Sequence, residues 1–94
     1  MSIKDLSDRV LIHVSLLNRT VLKEPDNSKK INLLIGIANN STISPTFVEW
    51  QEVRYFYSQT LEDLLEKTPN SLVVKTCRDM LLALDEFLQR QFNR

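Results

Sequence analysis

Between Thr46 and Lys67 the apolar residues Phe47, Trp50, Val53, Tyr57, Leu61, Leu64 and Leu65 recur at steps of three and four. At about 100° per residue they gather on one arc about 120° wide, the pattern of a helix with one face in a core. No Gly or Pro interrupts the stretch, and it holds the only Trp, both Tyr and two of the four Phe. It is the element around which the chain is organised. Ser44 is the expected N-cap, with Pro45 at the first helical position, where its missing N–H matters least. Thr68-Pro69-Asn70-Ser71 ends the helix, because proline disfavours a helical residue before it and Asn and Ser favour caps.

Three further helices are predicted. The first runs from Ile3 to Leu22, with Ser2 and Asp5 resembling a capping box and Asp5 and Asp8 suiting the positive helix start. Its inward stripe is Ile3, Leu6, Val10, Val14, Leu17 and Val21; Leu11, Ile12, Leu16 and Leu22 lie off it, as if the helix had several neighbours. Lys23 to Lys30 reads as a loop around Pro25, Asp26, Asn27 and Ser28. A short helix follows at about Lys29 to Asn39. Ile31, Leu34, Ile35 and Ala38 share its face. Ile31, Leu33, Ile35 and Ile37 also alternate as in a strand, but a lone strand has nothing to pair with, so the helix is preferred. Asn39 to Thr42 is a turn. The last helix spans Leu72 to Phe92, capped by Asn70 or Ser71, with Val73, Cys77, Met80, Leu81, Leu84, Phe87 and Leu88 inward. Long helices joined by short turns pack antiparallel. The expected fold is therefore a single all-α domain over residues 1–94, a small antiparallel bundle of about four helices.

Composition narrows the picture. The 94 residues include 43% hydrophobic ones, enough for one modest core, and a single Gly, too few turn residues for an all-β fold. Twelve basic side chains balance twelve acidic ones. The halves, 1–47 and 48–94, differ only as +2 against −2. That removes the simple electrostatic case for nucleic acid or an anionic membrane. One Cys cannot form an internal disulfide, and no secretory leader or membrane-spanning run is visible. A cytoplasmic setting is expected. The Asn-x-Ser/Thr triplets at Asn18, Asn39 and Asn40 then read as chance.

Few residues offer chemistry. His13 lies on the inward side of the first helix. A helical di-metal site would need two Glu-x-x-His pairs, and the residue three before His13 is Val10. Arg9 and His13 have three residues between them, against the four to six of the helical ribonuclease signature, and that resemblance is rejected. His13 is read as a core imidazole hydrogen-bonded to an acceptor. Cys77 has no His to activate it and is read as a small hydrophobe. Glu49/Glu52, Glu62/Asp63/Glu66 and Asp79/Asp85/Glu86 are read as a solvated acidic surface. No phosphate loop, nucleophile elbow or Cys-x-x-Cys is present. No enzyme activity, cofactor, metal or small-molecule substrate is expected.

Arg54 falls within the inward arc between Trp50 and Tyr57. Either its head snorkels to water or a carboxylate, or the arc here is a binding surface, since Arg with Trp and Tyr is hot-spot composition. Val48 and Tyr55 lie 120–150° from the core arc, and Ile12, Leu16, Leu33, Ile37 and Leu82 are displaced from the stripes of their helices. So many apolar side chains outside so small a core point to a partner. The expected function is a non-enzymatic protein–protein interaction module, such as a small regulator, inhibitor or immunity-type protein. It would bind a protein partner or a second copy as a homodimer through Val48, Arg54, Tyr55, Ile12, Leu16 and Leu82. The alternative is a nucleic-acid-binding helix-turn-helix made by the second and third helices, with Lys23, Lys29 and Lys30 on phosphates. Glu49 and Glu52 at the start of the reading helix oppose it.

Overall fold

Four α-helices form where the periodicity places them: α1 (Asp8–Arg19), α2 (Asn27–Ala38), α3 (Phe47–Lys67) and α4 (Leu72–Phe92), with one 3₁₀ turn at Val21–Lys23. The computed structural model describes residues 6–92, and among these there is no strand, so the helical reading of α2 holds.

The helix starts are set by side-chain caps, and three differ from the sequence reading. The first helix begins at Asp8 rather than Ile3, because the Ser7 hydroxyl accepts the Val10 N–H at 3.3 Å. The expected Ser2–Asp5 cap lies outside the described residues. α2 begins at Asn27, since the Asp26 carboxylate accepts the Lys29 N–H at 3.0 Å. α3 is capped by Thr46, not Ser44. Thr46 Oγ1 accepts the Glu49 N–H at 3.1 Å, and Glu49 Oε1 accepts the Thr46 N–H at 2.8 Å, a reciprocal capping box. Ser44 instead donates its hydroxyl to the Ala38 carbonyl at 2.8 Å, tying the end of α2 to the loop ahead of α3. Pro45 is buried in that loop, outside the helix. As expected, Ser71 caps α4, accepting the Val74 N–H at 3.4 Å.

α3 and α4 pack along their length. Phe47 meets Phe92 edge-on at 5.0 Å, Trp50 meets Phe87 at 4.7 Å, and Arg54 meets Asp85. One residue number rises as the other falls, so the pair is antiparallel. α1 meets α3 in the opposite sense: Arg9 reaches Glu49, and Tyr57 donates its hydroxyl to Asn18 at 2.6 Å. Both numbers rise together, so these helices run parallel. α2 packs on α4, and the 3₁₀ turn touches α1, α2 and α4. The core between them is Val10, Val14, Leu17 and Val21 with Ile31 and Leu34, Trp50, Val53 and Tyr57, and Met80, Leu84 and Phe87.

Three residues expected inside are not. Phe47 is 44% exposed, Leu65 40% and Val73 54%, while Val74 is buried. All three sit near helix ends. The angular position around a helix says which way a side chain points, but not where the neighbouring helix stops.

Thr46→Ala should lower unfolding free energy by about 1 kcal/mol while Thr46→Ser stays close to wild type, as read by urea denaturation. Equal loss in both variants would show that the hydroxyl cap is not what starts α3.

Candidate functional site

The most elaborate polar arrangement joins α1 to the first turn of α3. Arg9 donates from Nε to Glu49 Oε2 at 2.5 Å and from Nη2 to Oε1 at 3.1 Å. The same Oε1 takes the Thr46 N–H, and His13 Nε2 lies 3.7 Å from it. That separation is an ion-pair distance and too long for a hydrogen bond. His13 is buried, as expected, but its Nε2 finds no hydrogen-bond acceptor among the described residues, which corrects the reading of a hydrogen-bonded core imidazole.

Glu49 also departs from expectation. Residue type groups it with the solvated carboxylates, yet its side chain is only 12% exposed. Its position at the third residue of α3 commits it to the capping box, and α1 closes over it. The Arg9 hydrogen bonds, helped by the Thr46 N–H and by the positive charge of Arg9 beside His13, hold its carboxyl at about 2 against an ordinary value of 4.5, overcoming the opposing effect of burial. A group so strongly ionised is a poor proton carrier near neutral pH. The pattern Thr46-x-x-Glu49 was the available signal for it.

Burial shifts two further groups, both in the opposite sense to Glu49. Burial pushes the Cys77 thiol up, and Cys77 is a free, buried cysteine. Burial also raises the Tyr57 phenol, with Cys77 nearby adding to it. Among the described residues no group of three or more His, Cys, Asp or Glu could hold a metal ion, and no helix is long and apolar enough to cross a membrane.

Arg54 resolves toward a carboxylate. It donates to both oxygens of Asp85 on α4, from Nε at 2.5 Å and Nη2 at 3.4 Å. The two side chains are 41% and 49% exposed. This is a surface ion pair across the α3–α4 seam, and its direction is that of a snorkelling side chain.

The other expected contact residues divide by exposure. Ile12 is 66%, Val48 64% and Leu82 60% exposed; Leu16 and Tyr55 are half-buried. Val48 and Tyr55 line one shallow depression on the outer side of α3, with Gln51 and Glu52 beside them. Ile12 and Leu16 stand on α1 and Leu82 on α4, and none of these lines that depression. Of the six residues, Val48 and Tyr55 alone line it. Leu72, 76% exposed, is a further bare apolar side chain that the sequence reading passed over.

The helix-turn-helix alternative needs a turn of three or four residues and two helices packed on one another. Residues 39–46 separate α2 from α3, and α2 lies chiefly against α4. Comparison with known protein families, with curated proteins and with solved structures yields no match for this chain.

Two outcomes are expected. Arg54→Ala should cost no more than about 1 kcal/mol in thermal or chemical unfolding, since exposed pairs are worth little; a larger loss would make the pair a structural tie. Glu49→Gln should cost about 1–2 kcal/mol at neutral pH. Because the folded carboxyl titrates below the unfolded one, the wild-type advantage is complete above about pH 4.5 and fades as the pH falls towards 2. Denaturation of both proteins across that range measures it, and a difference that does not change with pH would refute the assignment.

Proposed function

We propose that the protein is a non-enzymatic interaction module that associates through the outer face of α3, and that the occupant of that face is a second copy of the chain. The observation that carries this reading is the strip of Val48 and Tyr55, an apolar and aromatic depression with Glu52 at its edge and Val48 64% exposed. Two things support it. Three of the inner ionisable groups serve structure: Glu49 in a cap and ion pair, Cys77 and Tyr57 in the core. The charges sum to zero at pH 7, so two copies meet without net repulsion. A face shared by two identical copies is self-complementary, so each apolar side chain on it counts twice. In this reading Ile12, Leu16 and Leu82, on other helices, and Arg54, paired with Asp85 across the α3–α4 seam, lie outside the central contact. A cytoplasmic location belongs to the same proposal.

Sedimentation equilibrium over a wide concentration range is the test. The wild-type chain should dimerise, and Val48→Asp should remain monomeric at every concentration with unchanged helical content, while Leu82→Asp dimerises as before. A wild-type chain that stays monomeric to its solubility limit would overturn self-association and leave a different protein as the occupant. Loss of dimer in Leu82→Asp but not in Val48→Asp would move the face to α4.

A further inference from the structure

Lys30 is the one Lys buried in the fold among the described residues, with 2% of its surface exposed. Its Nζ donates to the Val21 carbonyl at 3.3 Å, and among the described residues no carboxylate lies within ion-pair distance of it. An ammonium carries three N–H donors and a full charge. One carbonyl occupies one donor and offsets little of the charge, and a buried cation without a counter-charge is costly. The sequence places it in a loop-like run of polar residues. The Asp26 cap turns that run into the first turn of α2 and directs Lys30 inward.

Lys30 lines a cavity of about 200 Å³ where the 3₁₀ turn, the start of α2 and the first turns of α4 come together. Lys23 and Lys75 line it too, as do Glu24, Asp79 and Thr76. The two acids do not neutralise Lys30. Asp79 is held by Lys75 at 2.8 Å, and Glu24 turns one oxygen to the Asp26 N–H at 3.2 Å. Thr76 donates its hydroxyl to the Leu72 carbonyl, so it offers no donor to a guest. Three ammonium groups against two carboxylates leave the cavity one positive charge in excess.

We propose that this cavity binds a small phosphate-class oxyanion, with Lys30 as the principal donor and Lys23 beside it. Lysine ammonium groups are point charges that take a tetrahedral anion from several directions. At about 30 Å³ per water-sized group, the space admits a phosphate ion with a few waters, or a small phosphate monoester. The site is separate from the α3 face, and neither reading depends on the other.

The experiment is thermal unfolding of the full chain with inorganic phosphate against sodium chloride of matched ionic strength, paralleled by amide NMR titration. A saturable rise in Tm of roughly 5 °C is expected, with shifts confined to residues 21–30 and 72–79. Lys30→Met keeps the buried stem and removes the charge, and should abolish the saturable rise. The same rise in Lys30→Met would mark a general salting effect and overturn the proposal. Should that variant not fold, Lys23→Met is the second arm: weaker binding in it supports the site, and an unchanged response with shifts spread over the surface overturns it. O-phosphoserine run in parallel separates a free ion from a phosphorylated side chain as the source: whichever binds more tightly is the better fit, and no saturation with either ends the idea.

Discussion

The contact of Trp50 with Phe87 is the constraint on which the bundle depends. Both rings are fully buried, 4.7 Å apart and tilted by 59°. They join the first turn of α3 to the later turns of α4, and each helix brings one further neighbour: α3 carries α1, and α4 carries α2. Loss of either ring would remove about 3–5 kcal/mol, a large part of the stability of a domain this small. The indole Nε1 meets no acceptor among the described residues, at a cost on the order of 1–3 kcal/mol. Burying roughly 200 Å² of ring at about 25 cal/mol per Å² returns about 5 kcal/mol. The apolar term wins, and the helix pair tolerates an unpaired donor to keep these rings buried together.

Much of this was legible in the chain itself, and the misses share a cause. Four helices and most of the core follow from three- and four-residue spacing, since a helix must turn its apolar face to something. The short α2 was rightly separated from a strand by the lack of a pairing partner. What spacing does not carry is the choice between neighbouring polar residues. Ser44 and Thr46 are both good caps, and the decision rested on Glu49, which completes a box with Thr46 alone. Proline at 45 drew attention to the wrong residue. Val73 and Val74 differ by one step of the helix, yet only Val74 has a neighbour to cover it.

The candidate sites were less legible for a related reason. Exposure of Ile12, Val48 and Leu82 follows from angle, so the sequence could find them. Whether they meet on one face depends on how helices cross, which spacing along one helix does not carry. Arg54 was placed correctly within the arc, but its partner Asp85 lies 31 residues away. Residue type places Glu49 on a solvated surface and Lys30 at the end of a polar loop. Their burial comes from tertiary packing: α1 folds over Glu49, and the 3₁₀ turn and α4 close over Lys30. Glu49 is then compensated by Arg9, whereas Lys30 has a single carbonyl.

That contrast separates the two kinds of incompleteness in the molecule. An exposed valine is ordinary, and covering it gains about 2 kcal/mol at most. Val48 and Tyr55 alone supply a few kcal/mol, below the roughly 4–15 kcal/mol that association must overcome. In the proposed two-fold arrangement the same residues would contribute twice, which brings a short strip on one helix into the range that association requires. A buried ammonium needs no such doubling. Its charge is already out of water, so one anion of the right size restores what folding removed, and the strength of that interaction rises with the burial that makes the empty state costly.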